Sequence, residues 1–242
     1  MDVEDFDFDS LVPQDRLNPA IWTETGRLRS DVRARLARIA SDFFRDLEIP
    51  SNSLRDVRFT GSLANYNWSK YSDVDLHLVV DFDLVDENTD LVNNYFMARK
   101  NLWNNGHDIR VADADVEVYV EQAGEPHHST GVYSIVQDRW ITEPKYPSDA
   151  QVDRGPVTDK SRTLMRLIDD LVVSKLEAGE NEEAIRNAEM LQDKLRKMRS
   201  CGLERGGEYS PENLTYKVLR RLGYLDRLRD SKDAAYDRMM TL

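Results

Sequence analysis

Residues 59–80, FTGSLANYNWSKYSDVDLHLVV, combine a Gly-Ser pair with a strand-like run that carries two aspartates. Apolar side chains occupy every second position from residue 73 to residue 80. This alternation predicts a half-buried strand, with Asp73, Asp75 and His77 on the face that points away from the core. Two unit charges drawn to about 4 Å repel by roughly 4 kcal/mol at an effective dielectric constant near 20. The stretch therefore predicts a strand face that needs a cation.

A second alternating stretch, DVEVYVE at residues 115–121, supplies a third carboxylate. If its strand lies beside the first, Glu117 joins Asp73 and Asp75, and Asp115 is the alternative if the strand is divided differently. Magnesium prefers carboxylate oxygens together with phosphate oxygens and water. A pair of such ions can activate an attacking hydroxyl and stabilise the leaving oxygen of an in-line displacement. We therefore expect two Mg²⁺ ions here, with Mn²⁺ as a substitute.

The Gly-Ser pair predicts a phosphate-binding turn next to these carboxylates. Gly61 permits a tight turn and close backbone approach, and Ser62 begins a predicted short helix, LANYNW, whose free N–H groups suit a phosphate. Lys70 either neutralises phosphate or lies in a loop, and His77 either contacts a metal-bound phosphate or is a satisfied histidine. Lys217 and neighbouring arginines near the C-terminus are candidates to clamp the β and γ phosphates, but spacing does not choose among them.

At these residues the sequence resembles the DNA polymerase β-type nucleotidyltransferase superfamily, over about residues 56–121. The shared pattern is Gly-Ser, a ten-residue spacer, Asp-hydrophobic-Asp-hydrophobic, and a later carboxylate between hydrophobic residues. The resemblance implies that the Gly-Ser turn holds a nucleoside triphosphate and that Asp73 and Asp75 bind two Mg²⁺ ions. It also implies that Glu117 binds the catalytic ion and helps to activate the acceptor hydroxyl. Many members have Asp where this sequence has Glu117.

The sequence around these motifs is also similar to uncharacterised nucleotidyltransferase-like proteins of tailed phages. The resemblance implies transfer of an NMP from an NTP to an acceptor hydroxyl, with release of pyrophosphate. The acceptor is open: a small molecule, a protein, an RNA end and a second nucleotide all present a hydroxyl. The alternative function is a catalytically silent nucleotide-binding or protein-interaction module on the same fold.

Composition narrows the class of protein. The 242 residues include 40% hydrophobic ones, which is enough for a sizeable core, and the net charge is −12. Residues 1–155 carry 29 acidic and 16 basic side chains, which disfavours a long nucleic-acid duplex as partner. Cys201 is the single cysteine, and no run of about 18 apolar residues is present, so we expect a cytoplasmic protein without a membrane partner. His127-His128 lacks a second ligand pair, which disfavours zinc.

The remaining patterns predict a mixed α/β layer followed by helices. Residues 1–10 are acidic and predict a frayed tail or a docking segment. Helices are expected from Ser30, from Thr89 as a cap and from Ser210 with Pro211, and GVYSIVQDRWITEP predicts a hairpin. The helix that Thr89 caps is expected to present one stripe of side chains: Leu91, Tyr95, Ala98 and Leu102. We therefore expect an α/β nucleotidyltransferase core with a mixed sheet and an N-terminal helix at residues 1–155, and a helical domain at residues 156–242.

Overall fold

The computed structural model describes residues 3–126 and 129–242 and divides the chain into two compact units. Pro13–Ser148 form the unit that contains the sheet. The N-terminal segment up to Val12 joins Asp149–Leu242 in a second unit, which is helical. Each unit has its own hydrophobic core.

The N-terminal segment differs from the predicted arrangement, in which it belonged to the domain at residues 1–155. Val3, Phe6 and Leu11 are buried among apolar side chains of the helical unit. The segment forms two 3₁₀ turns, Val3–Asp5 and Phe8–Leu11. Burial of these apolar side chains outweighs the acidity that suggested a frayed tail.

The sheet has six strands in the order β3-β4-β2-β1-β5-β6. They are β1 (Leu54–Thr60), β2 (Val74–Val80), β3 (Arg110–Val111), β4 (Ala114–Gln122), β5 (Val132–Ser134) and β6 (Arg139–Thr142). The β2 and β4 strands pair in parallel, and the other neighbouring pairs are antiparallel. The mixed sheet and the predicted β5–β6 hairpin are therefore both present.

The apolar face of the sheet packs in one core cluster with helix α1 (Ser30–Asp46). Leu76 and Leu78 of β2 are fully buried in that cluster together with Leu36 and Phe43 of the helix. The predicted alternation of β2 is confirmed from Val74 to Leu78, where Val74, Leu76 and Leu78 are buried and Asp75 and His77 are half-buried. It ends at Val79, which is also buried although it lies on the same face as Asp75 and His77.

Helix α2 (Thr89–Gly106) connects the parallel strands β2 and β4, and its N-cap is Asn88 rather than the predicted Thr89. The side chains that it buries are Val92 and Phe96. The predicted stripe, which was wrong by one position, consisted of Leu91, Tyr95, Ala98 and Leu102. Of these, Leu91 and Leu102 are 59% and 66% exposed. Both stripes have helical spacing, so packing against the sheet decides between them.

The helical unit confirms the predicted helical character of the C-terminal region. Its helices are α3 (Arg154–Ile168), α4 (Ser174–Glu177), α5 (Asn181–Gly206), α6 (Pro211–Arg221) and α7 (Tyr224–Met240). A π-helical turn, Asp169–Val173, connects α3 to α4. Ser210 caps α6 by accepting a hydrogen bond from the N–H of Asn213. No helix in the described ranges is long and apolar enough to cross a membrane.

Candidate active site

The Gly-Ser turn lies directly against the carboxylate of Asp75. Gly61 has φ +77° and ψ −164°, a region that is essentially restricted to glycine. A Cβ atom built on Gly61 would lie 1.7 Å from Oδ2 of Asp75, far inside van der Waals contact. The absent side chain is therefore what lets the turn and the carboxylate strand approach each other.

The segment after Gly61 is shorter than predicted. The expected helix is a single 3₁₀ turn, Ser62–Ala64, because Asn65 already has an extended backbone. One turn does not align enough peptide dipoles for the expected helix N-terminus. The Ser62 hydroxyl instead donates a 2.7 Å hydrogen bond to Oγ of Ser72. This bond joins the two ends of the loop that separates the Gly-Ser pair from Asp73.

Parallel pairing brings Asp75 and Glu117 side by side. Asp75 of β2 is opposite Glu117 of β4 and also opposite Thr60 of β1. Residues opposite each other in adjacent strands point to the same face, so the two carboxylates share the polar face of the sheet. Asp73 precedes β2 by one residue. The sheet thus assembles the carboxylates that the sequence placed about 40 positions apart.

Tyr119, two residues after Glu117, contacts this group. Its hydroxyl donates a hydrogen bond to Oε2 of Glu117. Burial raises the pKa of Tyr119, and the hydrogen bond to Glu117 and the negative charges of Glu117, Asp75 and Asp73 raise it further. All three carboxylates therefore lie close enough to disfavour a phenolate, and Tyr119 remains a hydrogen-bond donor at neutral pH.

The alternative third carboxylate, Asp115, has a different environment. Its Oδ1 lies 3.0 Å from Nε of Arg110 in an exposed ion pair at the short β3–β4 ladder. The structure therefore places Glu117, rather than Asp115, beside Asp75.

Asp73, Asp75 and Glu117 all offer carboxylate oxygens, which fits the chemistry of Mg²⁺. Within residues 3–126 and 129–242, however, no three His, Cys, Asp or Glu side chains are gathered as a formed metal centre. His127 and His128, the residues considered for zinc, lie outside the described residues.

His77 and Lys70, two of the other candidate residues, contact neighbouring side chains of the protein. His77, in the middle of β2, has Nδ1 3.1 Å from Oε2 of Glu121 and stacks on the Tyr119 ring at 4.8 Å. These contacts agree with the alternative of a satisfied histidine. Lys70 is exposed in the loop before β2, with its ammonium 5.1 Å from the ring centroid of Tyr71.

Lys217 belongs to α6 of the helical unit, where its ammonium lies 3.0 Å from Oε2 of Glu208. Burial lowers the pKa of Lys217; Glu208 opposes that shift, and the positive charges of Arg221 and Arg199 add to it. Its predicted contact with the triphosphate stays a prediction.

Sequence reasoning did not single out Tyr119, Arg58 or Asp56, whereas Ser134 was a candidate either to line a base or ribose pocket or to lie on a core strand. Arg58, Asp56 and Ser134 lie on the same face of neighbouring strands, and Asp56 and Ser134 are buried. The only sequence signal for Tyr119 is its position two residues after Glu117, which assigns both side chains to one strand face.

Comparison with known proteins does not assign the chain to a family. No protein-family model matches the chain, and no curated protein matches it. Among solved structures, the chain is similar to a STING-associated CdnE c-di-GMP synthase from Capnocytophaga granulosa. The identity is 12% and the TM-score is 0.26, over 88% of this chain and 84% of that one. At that TM-score the likeness establishes neither a shared fold nor a shared activity.

Proposed function

We propose that the chain is a Mg²⁺-dependent nucleotidyltransferase of the polymerase β type, which moves an NMP from an NTP to an acceptor hydroxyl. The observation that carries the proposal is the contact between Gly61 and the Asp75 carboxylate, on a strand whose neighbour presents Glu117. A turn that admits phosphate and a face that attracts cations thereby meet at one place. Transfer of a nucleotidyl group requires both.

Asp73, Asp75 and Glu117 are the residues that would hold the metal ions, since their donors are carboxylate oxygens on one side of the sheet. When bound, Mg²⁺ neutralises phosphate charge and lowers the pKa of an attacking hydroxyl. Asp73 and Asp75 would hold those ions next to the triphosphate. Glu117, the half-buried third carboxylate, would accept the proton of the acceptor hydroxyl in this reaction.

In the proposed reaction, the acceptor oxygen forms a bond to the α-phosphorus of the NTP. The bond from the α-phosphorus to the oxygen that bridges to the β-phosphorus breaks, and pyrophosphate leaves with the electron pair. The absence of a side chain at Gly61 leaves room for the Asp75 carboxylate beside the turn at which the phosphates would bind. Ser62 contributes a hydroxyl donor when it exchanges its bond to Ser72 for one to a phosphate oxygen.

The competing function is a nucleotide-binding or protein-interaction module without turnover. The observation in its favour is that Glu117 already accepts a hydrogen bond from Tyr119, while the carboxylates of the described residues are not gathered as a metal centre. One assay distinguishes the two functions, because only the transferase moves label from an NTP to an acceptor.

The deciding experiment incubates the pure protein with each of the four α-³²P-labelled NTPs and Mg²⁺, with and without total RNA and cell lysate. The test variant combines Asp73→Asn with Asp75→Asn. The control is Asp83→Asn, which makes the same change at an exposed residue of the neighbouring Asp-x-Asp pair. A labelled product that requires Mg²⁺, persists in the control and disappears in the double variant supports transfer, and its size identifies the acceptor class.

Nucleotide binding without label transfer to any of these acceptors favours the silent module. In that case the double variant is expected to keep the biological effect of the protein. Label transfer that survives the double variant contradicts the assignment of the carboxylates.

A further inference from the structure

The hydrogen bond from Tyr119 to Glu117 belongs to a built polar layer. The two residues are separated by one position on β4, so their side chains share a face, and the phenol donates to Oε2. That leaves Oε1 as the oxygen that Tyr119 does not engage. A carboxylate with one oxygen held in this way has far fewer rotamers than an unsupported glutamate.

The aromatic ring of Tyr119 is itself held in place. His77, its register partner on β2, stacks on it with a centroid separation of 4.8 Å and an interplanar angle of 19°. The ammonium of Lys100, from α2, lies 4.4 Å from the ring centroid. The hydroxyl position is therefore set by contacts from two other elements.

The anchoring continues behind His77 across the sheet. His77 contacts Glu121, whose Oε1 lies 2.9 Å from Nη1 of Arg58. Nε of Arg58 lies 3.6 Å from Oδ2 of Asp56, and Asp56 accepts a 2.7 Å hydrogen bond from Ser134. This chain of contacts crosses β4, β2, β1 and β5. Such a layer is costly to bury unless its groups are paired. The contacts above pair most of them, although Nε of Arg58 makes no hydrogen bond.

We propose that Tyr119 is a positioning residue that fixes the Glu117 carboxylate beside Asp75, so that Oε1 of Glu117 would be available to a divalent cation. The inference rests on the proposed function, because it concerns the same carboxylates. Hydrogen-bond partners of ligating carboxylates typically contribute 10- to 100-fold to metal affinity or activity. Tyr119 supplies that support through its hydroxyl. The variant Tyr119→Phe removes this hydroxyl and keeps the aromatic ring.

The test is Mn²⁺ binding to the full chain without nucleotide, followed through the EPR signal of free Mn²⁺. We expect Tyr119→Phe to raise the Kd of Mn²⁺ by about 10- to 100-fold. The matched control is Tyr95→Phe, which also removes a phenol hydrogen bond, that to the carbonyl oxygen of Leu47, but lies on α2. The control is expected to keep the wild-type Kd. An unchanged Kd in Tyr119→Phe overturns the inference.

A double-mutant cycle with Glu117→Gln separates positioning from a general loss of packing. If Tyr119 acts through the Glu117 carboxylate, Tyr119→Phe raises the Kd little or not at all in the Glu117→Gln background. An equal rise in both backgrounds overturns the inference. If Glu117→Gln fails to fold, Glu117→Ala takes its place in the cycle. Wild-type protein that binds no Mn²⁺ overturns the proposed function together with the inference, whereas normal wild-type binding with an insensitive Tyr119→Phe overturns the inference alone.

Discussion

Replacing Gly61 with alanine tests whether the Gly-Ser turn and the carboxylate strand form one site. The new methyl group would lie 1.7 Å from Oδ2 of Asp75, which is half of the 3.4 Å at which ordinary contact begins. The backbone conformation of Gly61 adds strain of about 1–3 kcal/mol for a residue with a side chain. Asp75 must therefore move, and a displacement of about 1 Å in a catalytic group can reduce the rate by about 100-fold.

The assay compares NMP transfer and urea unfolding of Gly61→Ala with those of Gly124→Ala. Gly124 also has a positive φ, +88°, but its built Cβ has no atom within 4 Å, so this control reproduces the backbone strain without the collision. We expect both variants to lose stability and only Gly61→Ala to lose about 100-fold in kcat/KM. If the two variants transfer label at similar rates, the contact between Gly61 and Asp75 is not part of the active site.

Two further predictions concern stability. Asn104→Ala should lower the unfolding free energy by about 1–3 kcal/mol. The reason is that the Asn104 side chain hydrogen-bonds both the N–H and the C=O of Val118 on β4. Equal stability of this variant and the wild type in urea unfolding would contradict that role. Burial lowers the pKa of Lys217 below its ordinary 10.5, so the folded state binds fewer protons than the unfolded state just below that pH. Stability should therefore rise with pH as the pH approaches 10.5, and Lys217→Met should flatten the rise; parallel curves for the two proteins would contradict it.

Much of the candidate site was predictable because its pattern is local. The alternation of β2 assigned Asp73 and Asp75 to one face, and β2 has that alternation in the structure. The Gly61 turn and the cap of α6 at Ser210 were likewise predictable, since backbone conformation and capping depend on a few adjacent residues. The choice of Glu117 over Asp115 was not, because it depends on how β4 pairs with β2.

Periodicity in the sequence encodes the longer helices and the strands β2 and β4, together with the faces to which their residues belong. Packing between distant segments sets the register that puts Glu117 beside Asp75, the hydrogen bond from Tyr119 to Glu117, and the burial of Phe6 in the helical unit. The same packing buries Val92, rather than Leu91, in the apolar stripe of α2. These outcomes depend on contacts between residues far apart in the chain, where several local patterns fit equally well and packing selects one.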